Sequence, residues 1–247
     1  MKFSDFALMG RAAQAGGTPP SGDLNVAVYK FATDGSDSSG NGLHLSPVSS
    51  PTIDPTKSHS SPASWFVDDS AGTWILVGVN DALGCNAVGQ DGFTVTFWIY
   101  VPSGASPGGY MSGVSPVWAC WMGNNGADGA IPYFQIGTVA GYKVLYPTSE
   151  TPAPVDTWTF MACRCTFAHP DYGGNTVMEI KIGSGAWIVY DTGGYNPPTS
   201  GAGNLEFGSV GGSAAGSGYN IDDWAFHGTA VPDATVAGWA AGGEPPY

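Results

Sequence analysis

Residues 93–101 alternate without a break. Phe93, Val95, Phe97, Ile99 and Val101 fall on one parity, and Thr94, Thr96, Trp98 and Tyr100 on the other. Side chains of a strand leave its two faces in turn, so this run is a strand with one wholly apolar face. Its second face mixes rings with hydroxyls and is not an ordinary solvent surface. Similar short apolar or alternating runs, broken by Gly, Pro, Asn and Asp clusters, predict further strands at 25–31, 64–67, 73–77, 116–121, 133–137, 142–146, 158–167, 177–182, 186–190, 204–208 and 219–227. Pro232 and Asp233 open one short helical stretch that runs to Trp239, as residues early in a helix should. Many short strands without intervening helices predict an all-β fold, an antiparallel β-sandwich whose two sheets pack about 10 Å apart. No internal repeat at a fixed period interrupts this pattern.

Residues 1–23 do not follow it. Phe3, Phe6, Leu8 and Met9 are apolar, and Gly16-Gly17-Thr18-Pro19-Pro20-Ser21-Gly22 separates them from the first strand. That punctuation predicts an N-terminal arm and hinge over 1–23 and one jelly-roll domain over 24–247. Exposed together, the four apolar residues would make a patch that monomers avoid, so the arm is expected to dock on another subunit as an assembly anchor.

Composition narrows the function classes. The chain has 247 residues, 38 of them Gly and 19 Pro, yet 43% are hydrophobic. That length supports one large β domain with a core of its own, and the hydrophobic share argues against disorder. Net charge is −13, with only seven Lys and Arg, and those are scattered. No basic stripe can form from them, so nucleic-acid binding is not expected. The acidic surface also disfavours docking to anionic membranes, and no run is long enough to insert into one.

The four cysteines do not read as a disulfide framework. Cys163 and Cys165 share one face of a strand, with parallel side chains that suit a mutual bridge poorly, and no spacing suggests zinc. Buried free thiols are the expectation. Asp5 interrupts the apolar run from Phe3 to Met9, so no secretory signal is expected.

Two Asp-rich stretches stand at opposite ends of the sequence, Tyr29 to Gly42 (YKFATDGSDSSGNG) and Tyr219 to His227 (YNIDDWAFH). Together with the 92–102 run between them, and in that order, they resemble the laminin G-like jelly roll of the concanavalin A-like lectin/glucanase superfamily, over roughly residues 25–240. The resemblance implies a binding or structural module. It also implies a structural calcium ion (Ca2+) held between the first and last strands. Asp34, Asp37 and Asn41, in a loop where Gly35, Gly40 and Gly42 permit tight turns, would supply one side, and Asp222 and Asp223 the other. Calcium prefers such mixed oxygen ligands. The same residue types also build turns through side-chain-to-backbone hydrogen bonds with no metal.

Catalysis is not expected. Glucanases of that superfamily carry several acidic residues close together on one strand, whereas Met178-Glu179-Ile180-Lys181-Ile182 holds one Glu and one Lys. The paired carboxylates of a glycosidase are missing there. Asp222 and Asp223, as strand neighbours, should face opposite ways. Aromatic residues are the stronger lead, because sugar C–H faces pack on rings while polar neighbours fix orientation. Trp118, Trp121, Asn124, Asn125 and Asp128 combine both features and are the candidate carbohydrate-binding residues. Trp118 and Trp121 differ in strand phase, so at most one faces the core. The expected role is a non-enzymatic virion structural protein of a tailed bacteriophage, a capsid decoration, head or tail protein. It would contact other virion subunits or a second copy of itself, with loops free to bind a cell-surface glycan. A secreted, freestanding lectin is the alternative.

Overall fold

A computed structural model describes residues 25–242 apart from Ser49, 68–72, Asn80, Asn86, Val88, Ser106, 125–129, 148–151, Ala202 and 209–217. Within them run β1 (Asn25–Tyr29), β2 (Ser46–Val48), β3 (Thr52–Asp54), β4 (Ser64–Val67), β5 (Thr73–Val77), β6 (Gly92–Tyr100), β7 (Gly109–Val114) and β8 (Trp118–Asn124). They continue with β9 (Ala130–Thr138), β10 (Gly141–Leu145), β11 (Trp158–His169), β12 (Asn175–Ile182), β13 (Ile188–Asp191), β14 (Asn204–Phe207) and β15 (Tyr219–His227), and close with helix α1 (Asp233–Ala240). The arm residues Phe3, Phe6, Leu8 and Met9 lie outside the described residues.

The strands form two antiparallel sheets, as expected. The first has the order β13-β12-β11-β6-β15-β4-β3, with β1 also paired to β15; the second has the order β10-β9-β8-β7-β14-β5-β2. Phe93, Val95, Phe97, Ile99 and Val101 all reach the core between the sheets. Its floor is aromatic: Tyr29, Phe31, Trp65, Phe207 and Trp224 interlock through stacked, tilted and edge-on contacts. Rings in such arrangements gain about 0.5–1.5 kcal/mol per pair beyond their buried area.

The second face of β6 is covered too, which explains its composition. α1 lies over the outer side of the first sheet, where Trp98, Phe160, Ala162, Val231, Val236 and Trp239 form a separate apolar cluster. Beside it Arg164 holds Glu179 by two charged hydrogen bonds of 2.6 and 2.8 Å. The same guanidinium bonds the Val231 carbonyl and Asp233 at 2.7 Å, which ties the entry of α1 to the sheet. Trp187 stacks 4.2 Å from it.

Three strands were not foreseen. β2 and β3 are three residues each, below the length at which alternation is legible. β7 contains Gly109 and Gly113, which break the hydrophobic pattern. Gly113 is required there, because a Cβ would sit 2.5 Å from the Trp118 carbonyl oxygen of the neighbouring strand. β8 runs 118–124 rather than 116–121, since residues 115–117 turn the chain. All four cysteines are free; Cys120, Cys163 and Cys165 are buried.

Candidate functional site

The 34–43 loop is organised around Asp37. One carboxylate oxygen accepts the Val28 and Ser39 amides at 3.0 and 2.9 Å. The other accepts the Ser39 hydroxyl and the Leu43 amide at 2.8 and 3.0 Å. Burial alone would raise this carboxyl's pKa, but the Val28, Ser39 and Leu43 donors more than reverse that and hold it below the usual range. Asp34 accepts the Ser36 amide at 2.9 Å, and the Asn41 side chain donates to the Val26 carbonyl at 3.0 Å.

Asp222 and Asp223 sit elsewhere. β15 changes neighbours along its length: Tyr219–Ile221 pair with β4, and residues 224–227 pair with β1. Between them the register with β6 slips, and Asp223 takes a left-handed backbone angle of 49°. That bulge corrects the expectation that the two carboxylates face opposite ways, for both meet the same segment, His59–Ser61. The His59 amide donates to Asp222 at 2.8 Å, and the Ser61 hydroxyl lies 3.1 Å from it. His59 Nδ1 and the Ser60 hydroxyl engage Asp223 at 3.0 and 2.6 Å. Both carboxylates are buried. Burial, aided by the Asp223 charge, pushes Asp222 up to about 6. Ser60 donates to the carboxylate rather than to the imidazole, so no nucleophile–base relay exists here.

The ligand set implied for calcium does not fit this arrangement. β1 stands between the loop and β15, because Asp37 bridges Tyr29 on one side while Trp224 pairs Tyr29 on the other. The oxygens of Asp37 are taken up by donors from β1 and its own loop, and those of Asp222 and Asp223 by donors from His59–Ser61, so the two sets are turned to different partners. Among the described residues no group of three or more His, Cys, Asp or Glu side chains is placed to hold a metal.

Trp118 and Trp121 part company as their parity requires. Trp118 is in the core, its indole N–H donating to the Leu83 carbonyl at 3.1 Å. Trp121 is on the outer face of the second sheet, opposite Tyr110 of β7 and Tyr133 of β9. Trp121 lies 5.3 Å from each of those rings, and Tyr146 packs 5.1 Å from Tyr133 and 6.4 Å from Trp121. Tyr146 is 50% exposed and Trp121, Tyr110 and Tyr133 are half-buried. Tyr133 lies over Gly123, where any Cβ would overlap its ring. Asn124 ends β8, while Asn125 and Asp128 lie outside the described residues. Tyr110, Tyr133 and Tyr146 were missed as site residues, although the parity of Tyr133 relative to core residues Phe134 and Ile136 already places it outside.

Two grooves of about 470 Å³ flank α1 on the first sheet. One is lined by Arg164, Glu179, Trp187 and His169, the other by Trp98, Trp158, Pro152 and Pro154. Their rings are already engaged: Arg164 covers Trp187, and His59 stacks 3.6 Å from Trp98. On the outer face of the second sheet four half-open rings, Tyr110, Trp121, Tyr133 and Tyr146, adjoin one another.

No protein-family profile matches the chain, and no curated protein matches it in sequence. Solved structures do match. The binding domain of botulinum neurotoxin DC, in complex with rat synaptotagmin II, superposes with a TM-score of 0.64 at 14% identity, over 89% of this chain and 52% of that one. The same binding domain in complex with SialylT gives 0.63 at 15% identity over the same shares. Domain 4 of AbnA, a GH43 extracellular arabinanase of Geobacillus stearothermophilus in complex with arabinotriose, gives 0.61 at 15% identity, over 87% of this chain and 98% of that one. The chain spans about half the length of the toxin domains. At these identities the likeness shows the fold, a β-sandwich.

Proposed function

We propose that this chain is a non-enzymatic carbohydrate-binding module that holds a glycan against Tyr110, Trp121, Tyr133 and Tyr146. The observation that carries the reading is the aromatic row itself. Four rings gather on the outer side of a sheet whose core needs none of them. Such surfaces hold sugar rings by their C–H faces, with hydroxyls and amides fixing orientation. The complexes of similarly folded domains with SialylT and arabinotriose support it. The test is a glycan panel followed by titration calorimetry with wild type and Trp121→Ala. Loss of a central Trp anchor costs about 2 kcal/mol or more, roughly thirtyfold in Kd. An oligosaccharide bound equally well by both proteins would remove the face from the reading.

The module's place is a virus particle, in our reading, as a decoration, head or tail protein anchored by residues 1–23. Its free thiols support this, because proteins that fold in a reducing cytoplasm keep their cysteines unpaired. Deleting residues 1–22 is expected to leave a folded sandwich that no longer joins its particle or oligomer. Normal assembly of the truncated chain would favour a freestanding lectin.

A further inference from the structure

We infer that the aromatic face selects neutral glycans and rejects anionic ones, an assignment that rests on the carbohydrate-binding reading above. Capture of a sialic or uronic acid carboxylate calls for a cation, best an arginine fork. Among the described residues the second sheet offers none on this side. Its Lys143 pairs with Ile136, a core residue, so the lysine leaves β10 on the face opposite to the rings. Glu206 of β14, flanked by the core residues Leu205 and Phe207, is on the same face as the rings.

The described cations elsewhere are committed to other work. Arg164 is spent on Glu179 and Asp233, Lys181 on the Gly185 carbonyl, and Lys57 on the Tyr100 hydroxyl, while Lys30 directly follows β1 of the first sheet. With a net charge of −13, the protein's field opposes an approaching carboxylate, over a screening length of about 8 Å at physiological salt. What remains at the face is chemistry for uncharged sugars. Ring surfaces meet C–H groups, while the tyrosine hydroxyls and Gln135, two residues along from Tyr133, meet sugar hydroxyls.

The experiment pairs neutral and charged probes on the full chain: lactose against sialyllactose, and xylotriose against trigalacturonic acid, each at low and high salt. The neutral member of a pair should bind at least about tenfold more tightly, with an affinity that salt changes by less than about twofold, since screening acts only on charge. Trp121→Ala should weaken that binding by about thirtyfold or more. Gln135→Arg, which adds a cation beside the rings, should raise the affinity for the charged member and make it fall with salt. A charged probe that wild type binds more tightly than its neutral partner, and that Trp121→Ala binds about thirtyfold or more weakly, overturns the charge assignment and leaves the site standing. Binding of no sugar by the folded wild type, across these probes and a wider neutral panel, overturns the carbohydrate-binding reading and this inference with it.

Discussion

Removing the Asp37 carboxylate is expected to destabilise the protein by about 3 kcal/mol, with no metal involved. Four donors converge on it: the amides of Val28, Ser39 and Leu43 and the Ser39 hydroxyl, at 2.8–3.0 Å. Hydrogen bonds to a charged acceptor contribute roughly 1.5–3 kcal/mol each, and a buried donor left unpaired costs about 1–3. The Val28 amide is in a buried strand and would pay that cost in full. Ser39 and Leu43 are partly exposed, so water recovers most of theirs. The sum is near 3 kcal/mol for Asp37→Ala. For Asp37→Asn, which keeps one acceptor oxygen, it is about half. For a chain of this size each kcal/mol shifts Tm by about 2–4 °C, so Asp37→Ala should melt about 6–12 °C lower. The sign of the pH dependence follows from the lowered pKa of this carboxyl. Its stabilisation is complete above the unfolded value, about pH 4, and disappears as pH falls through the lower folded value. Thermal denaturation followed by circular dichroism, with and without EDTA, measures all of this. A melting temperature within about 2 °C of wild type would refute the hydrogen-bond account. A drop on adding EDTA to wild type as large as that caused by Asp37→Ala would make Asp37 a calcium ligand instead.

Three further outcomes are expected. Arg164→Met leaves Glu179 buried and unpaired and should cost about 3–5 kcal/mol in urea denaturation, much of it restored in Arg164→Met/Glu179→Met; equal losses in the single and double variants would contradict the pairing. Burial pushes His227 down to about 3, so the stability tied to its neutral form is lost as pH falls below the unfolded value, about 6.5. His227→Gln should therefore flatten the acid side of the stability profile between about pH 6.5 and 3, and an unchanged slope would show that another group sets it. Asp222, raised to about 6 chiefly by burial, works in the opposite sense, since its charge costs the folded state above that pH, and it should partly offset the His227 loss in wild type. Finally, Gly123→Ala must displace the Tyr133 ring. It should weaken glycan binding while shifting Tm by only a few degrees, and undiminished binding would exclude Tyr133 from the site.

The period-two pattern determined the architecture and much of the side-chain placement. The parity of residues 93–101 assigned five side chains to the core and foretold a covered second face. The three-residue offset between Trp118 and Trp121 sent one ring inward and the other out. Both results are local, because one residue along a strand always reverses the face. What tertiary structure decided is non-local. Tyr110 joined the aromatic face only when β7, unreadable through its glycines, paired with β8. The Asp-rich stretches looked alike in sequence, yet one organises its own loop while the other receives donors from His59–Ser61, more than 160 positions earlier. No spacing rule reaches that far. The role of Asp222 and Asp223 was set by where β15 exchanges β4 for β1, and by the single left-handed residue that turns both carboxylates toward that junction.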